Sequence, residues 1–277
     1  MATSTVAFIS QKGGTGKTTA VRTLADAFRR MGLRTLAIDL DPQGNLSDYF
    51  DAAPEIEPTI GDVIAGRASL EEAIHDDLVA ANLSLAEAEL ELGSRPEHEL
   101  TLRRALREAP EEYDLILIDC PPSLGLLTFN ALVAADYALV TAVGQYFAMQ
   151  GVEQAMAVVE LARRRLNPDL SVLGVVLNLA DMRTVHSREV LESLRERFEG
   201  LVFDTVIRSS IAYAESAERA SSILDHRPDL GRDYEGLAEE ALERLPAGAR
   251  ARARAHAGTH TRGDPVSDTS PRAGITR

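Results

Sequence analysis

The chain has 277 residues, 45% of them hydrophobic and only 5% aromatic, with no tryptophan. That suffices for one large α/β core filled with Ala, Leu, Val and Ile and disfavours an all-β sandwich. A formal net charge of −14 excludes a uniformly basic nucleic-acid binder, and the single Cys120 excludes an intrachain disulfide or a cysteine-built zinc or iron–sulfur site within one chain.

Residues 4–10 are an apolar run that reads as a buried strand. A glycine-rich loop follows, then a helix in which Val21, Leu24, Ala25 and Phe28 recur at helical spacing before Gly32 ends it. A second strand over 34–39 comes at once, so the chain opens as a β-loop-α-β unit of a parallel sheet. Residues 52–112 are acidic and helix-prone, and are expected to form peripheral helices with one short strand near 82–86. Further strands are expected at 114–119, 137–143, 172–178 and 201–207, with helices at 149–166 and 186–198, where Val190, Leu191, Leu194 and Phe198 make one stripe. This alternation predicts an α/β fold: a doubly wound, mostly parallel sheet with helices on both faces, in a single domain over 1–246. Over 247–277 the apolar periodicity stops and six arginines stand against two aspartates, which predicts a disordered tail. No apolar run approaches the ~20 residues that span a bilayer, and the start of the chain has no basic leader. A cytoplasmic setting without membrane attachment is expected.

Only two of the 29 basic residues are lysines, Lys12 and Lys17, and both lie in the loop after the first strand. Lysine differs from arginine in offering a compact point charge, so this retention points to chemistry at the loop. The run Gly13, Gly14, Thr15, Gly16, Lys17, Thr18, Thr19 stands between a strand and a helix, where backbone N–H groups and the helix dipole can hold a triphosphate. Lys17 would reach the β- and γ-oxygens and the Thr18 hydroxyl would ligate Mg²⁺, making ATP and Mg²⁺ the expected cofactors. The later strand runs through four apolar residues into Asp119, placing a carboxylate at its end where it can reach Mg²⁺. Cys120, directly after it, reads as a packing residue.

With Lys12 added at its start, the loop KGGTGKT resembles the deviant Walker A loop of the ParA and MinD ATPases. The likeness extends through Asp39-Leu-Asp-Pro-Gln-Gly-Asn45, Asp119-Cys-Pro-Pro-Ser-Leu-Gly125, Gln145-Tyr-Phe-Ala-Met-Gln-Gly151 and Asp181-Met-Arg-Thr-Val-His-Ser-Arg-Glu189, covering roughly residues 4–245. Within the family it is greatest to the small, chromosomal, Soj-like members. The resemblance implies an ATPase that closes as an ATP-sandwich homodimer, with Lys12 crossing to the partner's nucleotide. Asp41 would orient the attacking water, and Asp39 would lie near Mg²⁺. It also implies nonspecific double-stranded DNA binding by the ATP form, nucleoid association, and slow hydrolysis stimulated by a ParB-like or other adaptor protein. Arg183 and Arg188 match the family's basic region, with Arg208 and Arg219 as further candidates. The chain departs from the family over 208–222. The proline and asparagine that line the adenine site fall on Arg208 and Ser210, so these two positions are the expected base contacts. Three readings follow from the resemblance: DNA partition with a ParB-like protein, positioning of another cargo on the nucleoid, or an ATP-dependent small-molecule enzyme of the same fold.

Overall fold

The computed structural model describes residues 3–108, 113–144, 148–249 and 253. The first half of the chain contains β1 (Ser4–Ile9), α1 (Lys17–Arg30), β2 (Thr35–Asp39), α2 (Asn45–Tyr49), α3 (Ile60–Ala65), β3 (Ile74–His75), β4 (Leu78–Val79), α4 (Ser84–Leu92) and α5 (Thr101–Arg107). It continues as β5 (Leu115–Asp119), α6 (Leu126–Ala134), β6 (Tyr137–Val143), α7 (Ala148–Arg165), β7 (Ser171–Asn178), α8 (Val185–Arg197), α9 (Ala212–Glu218), α10 (Ile223–His226) and α11 (Pro228–Arg244). The strands form one sheet in the order β3-β4-β2-β5-β1-β6-β7, parallel throughout except for the β3–β4 pair.

Alternation along β1 shows the doubly wound arrangement directly. Val6 and Phe8 enter a core shared with Ala20, Leu24 and Phe28 of α1 and Tyr234 and Leu237 of α11. Ala7 and Ile9 point to the other face, onto Leu127 and Ala131 of α6 and Val152 and Val159 of α7. Both faces of the central strands are therefore buried, as a parallel sheet requires. Register then sets the site. Phe8 pairs with Asp119, and Asp119 with Asp39, so the phosphate loop and two carboxylates meet at the carboxyl ends of adjacent strands.

Two expected strands are corrected. Near 82–86 the chain enters α4, because Leu85, Ala88 and Leu92 form a buried helical stripe and Leu83 is exposed; the edge strands lie earlier, in β3 and β4. Residues 201–207 run beside β7 without a continuous ladder: Val175 bridges Val202, the Ile207 amide donates to the Leu177 carbonyl at 3.0 Å, and just past the strand Ala180 bridges Arg208. A regular ladder is interrupted because the amides of Asp204 and Thr205 donate instead to the Glu240 carboxylate on α11, at 2.8 and 3.0 Å. After Pro246 the chain makes a helical turn over 247–249, with the Ala249 amide donating to the Pro246 carbonyl. The rest of the expected tail, apart from residue 253, and Gln145–Phe147 lie outside the described residues.

Candidate functional site: a phosphate loop facing two carboxylates

The loop after β1 owes its shape to a few buried hydroxyls. Ser10 Oγ donates to the Lys12 carbonyl at 2.9 Å and accepts from Thr15 Oγ1 at 2.9 Å and from the Lys17 ammonium at 3.0 Å. Thr15 Oγ1 also meets Thr141 Oγ1 of β6 at 2.9 Å. Gly14 and Gly16 adopt left-handed backbone, φ 72° and 76°, which glycine enters without steric cost. At Gly16 a side chain is also excluded by space, since a Cβ would lie 2.4 Å from Asn178 Nδ2. That amide, fully buried at the end of β7, donates to the Thr15 and Gly16 carbonyls at 2.9 and 3.2 Å and clamps the loop from behind.

The Thr18 hydroxyl donates to Asp119 Oδ2 at 2.6 Å, bringing together the two oxygen ligands expected from sequence. Asp119 Oδ1 is buried and has no hydrogen-bond partner. Burial, with the neighbouring Asp39 adding to it, pushes the Asp119 carboxyl up to about 7. Burial likewise pushes Asp39 up to about 6. Asp39, paired in register with Asp119, accepts from the Asp41 amide through Oδ1, and from the Ser47 amide and hydroxyl at 2.9 and 2.8 Å through Oδ2. It thus fastens α2 to the strand ends. Asp41 follows at a bend whose Gly44 has φ 69°, and its Oδ1 accepts the Gln43 amide at 3.0 Å.

The loop and Asp41 open onto a cavity of about 720 Å³, with Asp39 and Asp119 buried behind them. Its walls are the loop from Gly13 to Thr19, Asp41 and Gln43, one side of α2 with Asn45, Asp48 and Tyr49, and then Asp51, Pro122, Ala217, Glu218 and Ala220. The Lys12 side chain is at the exposed loop entrance, outside this lining. Arg208 and Ser210 are also outside it. Arg208 pairs with Asp233 at 2.8 Å and donates to the Asp229 carbonyl at 2.5 Å, while Ser210 Oγ accepts the Ala212 amide at 3.2 Å. The part of the departing segment that reaches the cavity is Ala217 and Glu218 at the end of α9 and Ala220 just after it.

The candidate arginines divide by position. The Ala180–Arg208 bridge sets Arg208 beside the start of the turn carrying Arg183, and Arg188 Nη1 reaches the carbonyls of Met182 and Arg183 at 3.3 and 3.4 Å. Arg183, its side chain 91% exposed, forms a two-pronged pair with Asp181, both contacts at 2.8 Å. Arg219 stands apart from these, exposed at the end of α9 next to the cavity wall. Cys120 is buried, and burial raises its thiol well above the ordinary range, in keeping with a packing role. Among the described residues no helix is long and apolar enough to cross a membrane.

Asn178 was missed in the sequence although it carries a signal, a lone amide closing the apolar run of β7 at the sheet edge where ligands bind.

A family profile described as an AAA domain matches residues 3–172. The Soj protein of Thermus thermophilus, named a chromosome-partitioning ATPase, is 38% identical over 87% of this chain and 96% of its own length. The chain belongs to the ParA/MinD family. The Bacillus subtilis member named sporulation initiation inhibitor protein Soj is 35% identical over 80% of this chain and 91% of that protein. Among solved structures, cobyrinic acid a,c-diamide synthase from Mycobacterium smegmatis with bound ADP and magnesium has a TM-score of 0.72 and 36% identity, covering 81% of this chain and 95% of that one. In this chain the phosphate loop and the strand-end carboxylates share one edge of the sheet.

Proposed function

We propose that this chain is an ATP-switched dimeric ATPase that holds nonspecific double-stranded DNA in its ATP state and positions chromosomal or plasmid DNA with a ParB-like partner. The observation that carries the reading is the convergence of Lys17, Thr18 and Asp41 on one cavity at the carboxyl edge of the sheet, with Asp119 buried directly behind Thr18 and bonded to its hydroxyl. An unpartnered carboxylate oxygen beside a threonine hydroxyl is an oxygen donor set suited to a hard divalent cation. Thr18 and Asp119 would hold Mg²⁺, which supplies charge neutralisation at the phosphates when bound. The loop amides and Lys17 would orient the triphosphate, and Asp41, buried at the cavity wall, would position the water that attacks it. Lys12, exposed at the loop entrance, would reach a second subunit's phosphates.

The likeness to a protein named cobyrinic acid a,c-diamide synthase supports a second reading, an ATP-dependent enzyme acting on a small molecule. Sedimentation with Mg–ATP and Mg–ADP separates the two. The switch predicts a dimer with ATP and a monomer with ADP, and Lys12→Ala should lose both the dimer and partner-stimulated hydrolysis. A Lys12→Ala protein that still dimerises with ATP removes the cross-subunit role. A chain that stays monomeric in every nucleotide state favours the small-molecule enzyme.

A further inference from the structure

Two short helices meet at the nucleotide cavity although they are far apart in sequence. The α2 helix contributes Asn45, Asp48 and Tyr49 to the wall, and α9 contributes Ala217 and Glu218. The side-chain hydrogen bond described between these helices joins Tyr49 to Ser216, both buried. Its direction follows from proton counting. Ser216 gives its single hydroxyl proton to the Tyr213 carbonyl at 2.9 Å, so the Tyr49 O–H is the donor and Ser216 Oγ the acceptor.

The attachments on each side give this bond its consequence. At its start α2 is tied by Ser47 to Asp39, behind the carboxylate edge, and the Ser47 hydroxyl also accepts the Ala81 amide at 2.9 Å. At its end the Tyr49 carbonyl accepts from Arg22 at 3.2 Å, and that guanidinium lies 4.0 Å from the Phe50 ring. Such a helix moves with the 39–48 segment or not at all. On the other side, α9 is led in by residues 208–211, which are held to the Ala180 turn by the Ser209 amide at 3.1 Å. That turn runs directly into Asp181 and Arg183.

We infer that the Tyr49–Ser216 hydrogen bond couples the two halves of the switch: it transmits displacement of the cavity-lining segment 41–48 through α9 to the arginine-bearing segment at 208–219. Tyr49 and Ser216 are positioning residues that touch no reacting atom, and the inference rests on the reading of the chain as an ATP switch. Coupling of this kind requires an element that both sites can bias, and the joined α2–α9 pair lines the cavity at one end and is led in from the Ala180 turn at the other.

The test uses Ser216→Ala, Tyr49→Phe and the double variant in the full chain. Ser216 lies off the cavity lining, so Ser216→Ala keeps ATP affinity within about twofold. Tyr49→Phe keeps the Ser216–Tyr213 bond and guards against a folding artefact. Hydrogen exchange over 208–219 with Mg–ATPγS against Mg–ADP reads the coupling without DNA. In the unaltered chain exchange there should be at least about fivefold slower with ATPγS. Each single variant should lose that difference, and the double variant should lose no more than either one. In a DNA-retention assay the ATP-over-ADP preference should fall from about tenfold or more to under about twofold. Persistent nucleotide-dependent protection in either single variant, or its absence from the unaltered chain, overturns the coupling. Protection that follows nucleotide in a chain that never binds DNA upholds the coupling and overturns the functional reading instead.

Discussion

The buried, unpartnered oxygen of Asp119 makes the empty-handed protein sensitive to pH in a direction that can be worked out. Asp119 is held at about 7 and Asp39 at about 6 by burial, whereas both would ionise near pH 3.9, roughly, in the unfolded chain. The folded state therefore binds protons more tightly. The stability this confers is fully present below the unfolded value and is lost as pH rises through about 7 for Asp119. Asp119→Asn removes the titration, so in EDTA and without nucleotide its melting temperature should exceed that of the unaltered chain by a margin that grows from pH 5.5 to pH 8. The corresponding difference in unfolding free energy at pH 8 should be on the order of a few kcal/mol. Equal margins at both pH values, or a less stable variant at pH 8, would show that Asp119 is not strained by its surroundings. The same variant should lose the Mg²⁺-dependent part of ATP binding. Thr18 and Asp119 were legible because each follows a local rule, a loop motif and a strand end. The engagement of Asp39 by Ser47 was not, because it depends on where the bend at Gly44 aims the next helix.

Among the elements, β7 shows what strand periodicity conveys and what it conceals. Its apolar run is plain in sequence, and it ends in the Asn178 clamp on the phosphate loop. The segment beside it looks equally strand-like yet follows a different path, because Glu240 on α11 takes two of its amides. Gly174 marks a close approach of the two. A Cβ there would lie 2.4 Å from the Phe203 ring, 2.5 Å from Arg244 Nη1 and 2.8 Å from the Leu201 carbonyl. The backbone oxygen cannot move away as a flexible side chain can, so Gly174→Ala should destabilise the fold by about 1–3 kcal/mol, read as a lower denaturant midpoint. An unchanged midpoint would mean the 201–203 segment is free to shift and does not support β7. The same tertiary dependence explains why the cavity wall falls on Ala217, Glu218 and Ala220 and not on Arg208 and Ser210. Arg208 is drawn to Asp233 on α11, a partner that no neighbouring residue announces. Tyr49 and Ser216 meet across 167 residues, which no local pattern can show.

At the scale of the whole molecule the charge balance sets the terms of any DNA interaction. A chain of net charge −14 is repelled by nucleic acid on average, so affinity must come from a local face and must weaken steeply with salt. The fold gathers Arg183, Arg188 and Arg208 near one end of β7, at the sheet edge that also carries the phosphate loop. In the described state Arg183 is committed to Asp181 and Arg208 to Asp233, so their guanidinium groups must be shared or released to meet phosphates. Two subunits closed on ATP would double the number of arginines facing one duplex, and this would tie DNA binding to nucleotide. Nonspecific double-stranded DNA retention with Mg–ATP, Mg–ADP and no nucleotide, at two salt concentrations, in the unaltered chain and Arg183→Glu, tests this most directly. The account predicts binding that needs ATP, falls with salt by roughly one power of concentration for each phosphate contacted, and is lost in Arg183→Glu. Binding that is equal with ATP and ADP, or absent in every nucleotide state, would contradict it.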